Sequence, residues 1–415
     1  MNLLTPPPTK DQWGFYKVGE FKFYSKLEAI EASARYNLPL TWDYNSSTFS
    51  KFNWSQEPPG DISFWYKQRA QQLRNQYQYL VLFYSGGADS HNMLMSFVKN
   101  NIFVDEIVQF HTLDGNLGDK DSAGNEEVFA TSAPFTQRLI DSNPIYKHTK
   151  HRLIDKSRWQ MNMFLTKEYK WDLWYELNQI LTPGIAVWSR VRDIEPAYRK
   201  IADSGKTVAF VWGYDKPMID YTTKDCKLVF RDSYAAAFVN PLANNSDNEF
   251  DESFYFTPNM PELVCKQSHI VKRFISQIDD SMVDEYHVSA ADSFRDEYGR
   301  PTHPTELYPT ATVIKHNKKY SLMPAGLHKL VYPWWNPVEH PILCGKTSSS
   351  ALSDKDQWML KGSLSESNFS SYFKGLVWLK QHIAKISPAM WGQYKPVNGS
   401  LSCSLTGMSN SYKIG

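Results

Sequence analysis

A chain of 415 residues exceeds what one hydrophobic core usually serves, so two or three substructures are expected. With 42% apolar and 21% charged residues it has an ordinary globular composition, and its net charge of +1 argues against holding nucleic acid by bulk electrostatics, leaving at most a local basic groove. Cys226, Cys265, Cys344 and Cys403 stand far apart with no Cys-Xaa-Xaa-Cys pair, which argues against a zinc knuckle, an iron–sulfur site or a disulfide framework. Neither a signal peptide nor an apolar run of bilayer length is read, so no membrane association is expected and the cytoplasm, of a cell or of an infected cell, is the expected location. The abundant aromatic residues are expected in cores and interfaces, with base-stacking platforms as the alternative. In chain order, Pro6-Pro7-Pro8 lies in an irregular arm, and residues 13–24 are predicted to form a hairpin turning at Gly19-Glu20. Residues 26–36 are predicted to be a helix with Ser25 as N-cap. Residues 37–60 are loop-like, and Asp61 caps a predicted helix to about residue 77, with Phe64, Trp65 and Leu73 on its apolar side and Lys67, Arg69 and Arg74 on its basic side.

Residues 79–98, YLVLFYSGGADSHNMLMSFV, organise the rest of the chain. The apolar run at residues 80–84 has the length and β-rich composition of a buried strand. After Ser85-Gly86-Gly87-Ala88-Asp89-Ser90 the pattern resumes as a helix, with Met93, Leu94, Phe97 and Val98 three or four apart. Strand, glycine-rich turn and helix make an anion site. The glycines let backbone approach a ligand closely, and the first helical N–H groups lack internal partners and carry the positive end of the dipole. Ser85 and Ser90 are candidate hydroxyl donors, and Asp89 would repel a phosphate unless Mg²⁺ sits between them.

Ser-Gly-Gly-Xaa-Asp-Ser is the PP-loop pattern, and over residues 80–219 the chain resembles the N-type ATP pyrophosphatases, the superfamily of asparagine synthetase, GMP synthetase, NAD synthetase and tRNA-lysidine synthetase. The resemblance implies an α/β fold with a Rossmann-like (HUP-type) parallel sheet flanked by helices. It implies ATP and Mg²⁺ as cofactors, with residues 85–90 on the phosphates and Asp89 on the metal. Residues 1–76 are read as a small N-terminal α+β module, 77–243 as the PP-loop domain, and 244–415 as a mostly helical and loop extension completing the acceptor site. An asparagine synthetase-type glutaminase domain would place a cysteine after Met1; position 2 is Asn2, so any ammonia is expected to be free or supplied by a partner chain.

Beyond the loop, a second strand is centred on residues 107–110; by resemblance its end, Phe110, His111 and Thr112, contacts adenine, while His111 is equally readable as a core or rim histidine. A helix is predicted over residues 126–140 with a kink at Pro134, a third strand at 151–154 and two helices over 159–181. Arg190 and Arg192 are readable as a phosphate or carboxylate clamp or as a solvated turn. The apolar run at residues 208–212 is a buried strand stopping at Gly213; by looser resemblance Gly213 belongs to the nucleotide site, Asp215 to the metal, and Lys216 neutralises the departing phosphates, the alternative being an Asp-Lys surface turn. Residues 244–251 read as a polar loop and domain boundary. A helix over 257–278 starts at Pro261, and Glu262, Lys266 and His269 share a face that either lines the acceptor pocket or is an ordinary polar face. Residues 290–350 read as an ordered aromatic and proline-rich wrap, 354–386 as a closing helical segment, and the Ser/Gly-rich tail from 398 as mobile or partner-bound.

Together these residues imply an AMP- and pyrophosphate-forming ligase that adenylates a carbonyl or carboxylate oxygen for attack by a nitrogen nucleophile. Three alternatives stay open: modification of a nucleobase in tRNA or DNA, including thiolation; a reductase of the phosphoadenylyl-sulfate type; and a nucleotide-binding scaffold or regulator. The acceptor is accordingly a small molecule or a nucleoside or nucleic acid, and the oligomeric state is not read.

Overall fold

The computed structural model describes residues 14–24, 26–111, 127–155, 197–213, 218–220, 226–230, 248–276, 313–316, 319–322, 331–334, 395–397, 400–402 and 409–415. β1 (Phe15–Val18), β2 (Phe21–Phe23) and β3 (Leu40–Asp43) make a three-stranded antiparallel sheet in the order β2-β1-β3, with the predicted hairpin as its first two strands. α1 (Lys26–Tyr36) packs on this sheet, its Ala29 and Ala32 sharing a core with Tyr16, Val18 and Trp42; its expected cap Ser25 lies outside the described residues. After the short α2 (Ser46–Phe49) comes α3 (Ile62–Gln76), where the Asp61 side chain accepts a bond from the Phe64 N–H at 2.7 Å.

The buried face of α3 is Tyr66, Arg69, Ala70 and Leu73, which corrects the stripe expected from composition. Phe64 is 44% exposed and Arg69 is fully buried. The reversal has a partner-based cause. Arg69 donates to Glu252 at 2.7 Å and to the Ser253 carbonyl at 2.6 Å, and the Tyr77 hydroxyl donates to the same Glu252 at 2.5 Å. A buried guanidinium is tolerable only when paired in this way.

The chain continues through β4 (Tyr79–Phe83), α4 (Ala88–Val98), β5 (Glu106–His111), a π-helical stretch (Glu127–Ser132), α5 (Ala133–Ser142), β6 (Lys150–Asp155), α6 (Ala197–Asp203) and β7 (Val208–Trp212). Then follow β8 (Met218–Asp220), β9 (Lys227–Val229), β10 (Glu249–Ser253), α7 (Pro261–Ser276), the antiparallel pairs β11 (Val313–His316) with β12 (Lys319–Leu322) and β13 (Lys395–Val397) with β14 (Ser400–Ser402), and finally β15 (Tyr412–Lys413). The helices predicted over 159–181 and 354–386 fall outside the described residues.

Five strands form one parallel sheet in the order β10-β7-β4-β5-β6, flanked by helices, which is a Rossmann-like α/β core. β4 is buried along its whole length because both faces of the sheet are covered, hence the unbroken apolar run. Leu80 and Leu82 enter a core shared with α3, α4 and the N-terminal sheet; Tyr79, Val81 and Phe83 enter a second core with Phe210, Trp212 and Tyr198 of α6. The edge strand β10 lies partly in the segment expected to be a polar boundary loop. It forms a strand because its carboxylates are matched inside the protein: Glu252 by Arg69, and Glu249 by Arg199 at 3.0 Å. The end of the tail is likewise docked. Tyr412 and Ile414 belong to the first core, β15 pairs with β9, and the Ile414 N–H donates to the Cys226 carbonyl at 2.9 Å. Among the described residues no helix is long and apolar enough to cross a membrane.

Candidate functional site

Sheet order locates one position where connections diverge. From β4 the chain moves outward to β5 and β6, then returns to the opposite side of β4 as β7. In open α/β sheets ligands sit beyond the carboxyl ends of the strands at such a point. Here it holds the turn from β4 into α4, residues 84–88, and the end of β7.

The Tyr84 N–H extends the pairing with the Val108 carbonyl at 2.9 Å, and the turn begins at the exposed Ser85. Gly86 has φ 94°, a conformation that side chains resist, and Gly87 is the extended N-cap of α4. The two serines brace the turn. The Ser85 N–H donates to the Ser90 hydroxyl at 3.2 Å, the two hydroxyls lie 3.1 Å apart, the Gly87 N–H donates to the Ser85 hydroxyl at 3.2 Å, and the Ser90 hydroxyl donates to the Gly87 carbonyl at 3.1 Å. The first regular helical bond runs from the His91 N–H to the Gly87 carbonyl at 2.8 Å, so the preceding N–H groups, including that of Ala88, have no partner within the helix ladder.

Gly213 closes the other side. A Cβ built there would lie 3.0 Å from the Ser90 Cα, 3.2 Å from the Asp89 carbonyl oxygen and 3.2 Å from the Met93 Cβ. The end of β7 therefore packs directly on the first turn of α4. On the second face of the sheet, the rings of Phe83 and Trp212 stack at 3.8 Å, and Phe110 stacks on Phe83 at 5.5 Å while remaining partly exposed. His111 places its ring 5.3 Å from Phe129.

Asp89 is partly exposed and held from two directions. The Tyr255 hydroxyl donates to its carbonyl oxygen at 2.5 Å and accepts from the Asn92 amide at 3.2 Å; the Tyr332 hydroxyl donates to its carboxylate. Burial, reinforced by the Tyr66 hydroxyl and the Asp89 carboxylate, pushes the Tyr255 hydroxyl far above its ordinary range and keeps it a donor. Beneath the turn, the Tyr84 hydroxyl and the His91 Nδ1 share a hydrogen bond at 2.9 Å, and burial raises the tyrosine.

Thr112, Arg190, Arg192, Asp215 and Lys216 lie outside the described residues. Lys266 and His269 are described, and both are buried. The Lys266 ammonium pairs with Glu57 at 2.7 Å and donates to the Pro58 carbonyl at 3.2 Å; the His269 Nε2 meets the Trp54 carbonyl at 3.0 Å. Lys266 and His269 on this face of α7 grip residues 54–58, so the two are not on an ordinary solvated polar face. Tyr255 and Tyr332 were not among the expected site residues. Tyr332 falls in the expected aromatic wrap over residues 290–350, but nothing local marks which of the wrap's rings reaches Asp89.

The turn fits a polyphosphate with a hard cation. Its donors are backbone N–H groups at a helix start, a Cβ at Gly213 would crowd that helix start, and Asp89 supplies an oxygen ligand. Among the described residues no three His, Cys, Asp or Glu side chains converge, and a hard cation such as Mg²⁺ ordinarily completes its shell with water and phosphate oxygens. Comparison of the chain with protein-family models, with curated proteins and with solved structures finds no match.

Proposed function

We propose that the chain is an ATP pyrophosphatase-type ligase that forms AMP and pyrophosphate while activating an acceptor carbonyl or carboxylate oxygen for a nitrogen nucleophile. The observation that carries this reading is the seating of the Ser-Gly-Gly-Ala-Asp-Ser turn at the carboxyl ends of the paired β4 and β7, where the chain connections diverge, with Gly213 packed on the helix start. The first-turn N–H groups of α4 bind and orient phosphate oxygens, and Asp89 holds the cation. Bound Mg²⁺ supplies charge neutralisation for the departing pyrophosphate. The acceptor oxygen attacks the α-phosphorus, and the bond from the α-phosphorus to the bridging oxygen breaks. The nitrogen nucleophile then bonds to the activated carbon, and AMP leaves. The protein contributes position and field rather than a covalent intermediate of its own. Lys216 and Asp215, four residues or fewer beyond the end of β7, are the proposed partners of the pyrophosphate and the cation.

The test is to incubate the protein with ATP, Mg²⁺ and panels of carboxylate, carbamoyl and nucleoside acceptors, and to quantify AMP and pyrophosphate. Equal yields of both, dependent on acceptor, are expected. Asp89→Ala is expected to lower the rate about 10²–10³-fold with an unchanged circular dichroism spectrum. Tight ATP binding without pyrophosphate across all acceptors identifies a nucleotide-binding module instead.

A further inference from the structure

Residues 331–334 lie along α4. The Val331 carbonyl accepts from the Tyr66 hydroxyl of α3 at 2.8 Å, and the Trp334 Nε1–H donates to the Ser96 hydroxyl at 3.3 Å. Asp89, Asn92 and Ser96 are spaced three and four apart, so they share one side of α4. Between the two anchors, Tyr332 is 5% exposed, sets its ring 5.8 Å from Tyr255 and directs its hydroxyl onto the Asp89 carboxylate. The segment could have been held by its two anchors alone; the Tyr332 hydroxyl instead ends on the single carboxylate in the turn.

We propose that Tyr332 is a positioning residue that presents the Asp89 carboxylate to a divalent cation in one orientation. The inference rests on reading residues 85–90 as the nucleotide site. An ionised carboxylate offers about four lone-pair directions. A hydrogen bond from a hydroxyl whose ring is packed restricts the torsion of the group, and a carboxylate accepts more than one partner. Carboxylates that hold metals are themselves hydrogen-bonded, and losing that partner costs about 10–100-fold in affinity. The C-terminal part of the chain thus sets the geometry of a site whose turn is built 243 residues earlier. Tyr255, which holds the Asp89 backbone, fixes where the residue sits; Tyr332 fixes where its carboxylate points.

The test uses the full chain, Mn²⁺ as a spin probe and α,β-methylene-ATP as a nucleotide that is not cleaved between those phosphates. Tyr332→Phe keeps the ring and removes the hydroxyl. It is expected to weaken Mn²⁺ binding about tenfold at saturating nucleotide while metal-free nucleotide affinity and Tm hold. Trp334→Phe removes an anchor without touching Asp89 and is expected to leave Mn²⁺ affinity within about twofold. Asp89→Asn is expected to abolish cation binding. Loss of Mn²⁺ affinity in Asp89→Asn with none in Tyr332→Phe overturns the proposal and leaves the nucleotide site standing, as does an equal loss in Tyr332→Phe and Trp334→Phe. No effect of Asp89→Asn overturns the nucleotide site itself and the proposal with it.

Discussion

A methyl group on Gly213 would sit 3.0 Å from the Cα of Ser90 and 3.2 Å from the Asp89 carbonyl oxygen, both of them backbone atoms that cannot swing aside. Gly213→Ala is therefore expected to push the first turn of α4 away from β7. The expected cost is about 1–3 kcal/mol of stability from overpacking, read as a lower midpoint in urea, together with a larger fractional loss of ATP affinity than of stability. The residues that make the turn were legible because glycine conformation and helix-start chemistry act over a few neighbours. Gly86 bends with positive φ, and residues 85–90 run from a strand into a helix as the pattern required. Tyr332 and Tyr255 were not legible, because neither tyrosine carries a local mark of a partner residue lying more than 160 positions away.

At the scale of elements, α3 and β10 show how a buried ion pair rewrites a pattern. Arg69 looked like part of a basic helix side and residues 249–251 like part of a boundary loop; Arg69 makes sense only against Glu252, and Glu249 against Arg199. With Arg69 gone, Glu252 stays buried with the Tyr77 hydroxyl and no cation from α3. Arg69→Met is expected to destabilise the chain by about 3–5 kcal/mol, measured by chemical denaturation, and Arg69→Met combined with Glu252→Gln is expected to recover part of that loss. Glu106 repeats the principle at the start of β5. It is buried, accepts from the Tyr79 and Tyr198 hydroxyls at 2.8 and 2.5 Å, and lies 3.3 Å from the Arg152 guanidinium. The strands β4 and β7 were readable because every residue in them is buried and apolar, whereas β10 was hidden by its acidic residues.

Across the whole molecule, one contiguous core runs from Tyr16 in the first strand to Ile414 beside the last, and distant segments close around it. Its junctions carry titratable groups, which makes global stability depend on pH. Burial lowers His151 and His269, the latter opposed by the Trp54 carbonyl and Glu57. A base held below its ordinary value of 6.5 in the folded chain binds its proton more readily when unfolded. Its contribution is therefore complete above that pH and is lost as the pH falls from there through the folded value. Glu57 adds a second phase in more acidic solution. Burial works upward on its carboxyl, but hydrogen bonds from Lys266 and Arg273 outweigh it and hold the group below 4.5, so its contribution is lost as the pH falls below that value. Tm is expected to be level above about pH 7 and to decline as the pH falls below 6.5, and His269→Gln to make that decline shallower by ~1–3 °C, as followed by calorimetry. The sequence by itself determined the local units: the buried strands, the glycine turn and the helix capped by Asp61. Periodicity, glycine freedom and helix-end chemistry are all properties of near neighbours. Only the tertiary structure decided which charges are buried, which edge strand completes the sheet, and which hydroxyl faces Asp89. A charged or polar group is stable inside a protein only against its partner, and here the partners are brought together from opposite ends of the chain.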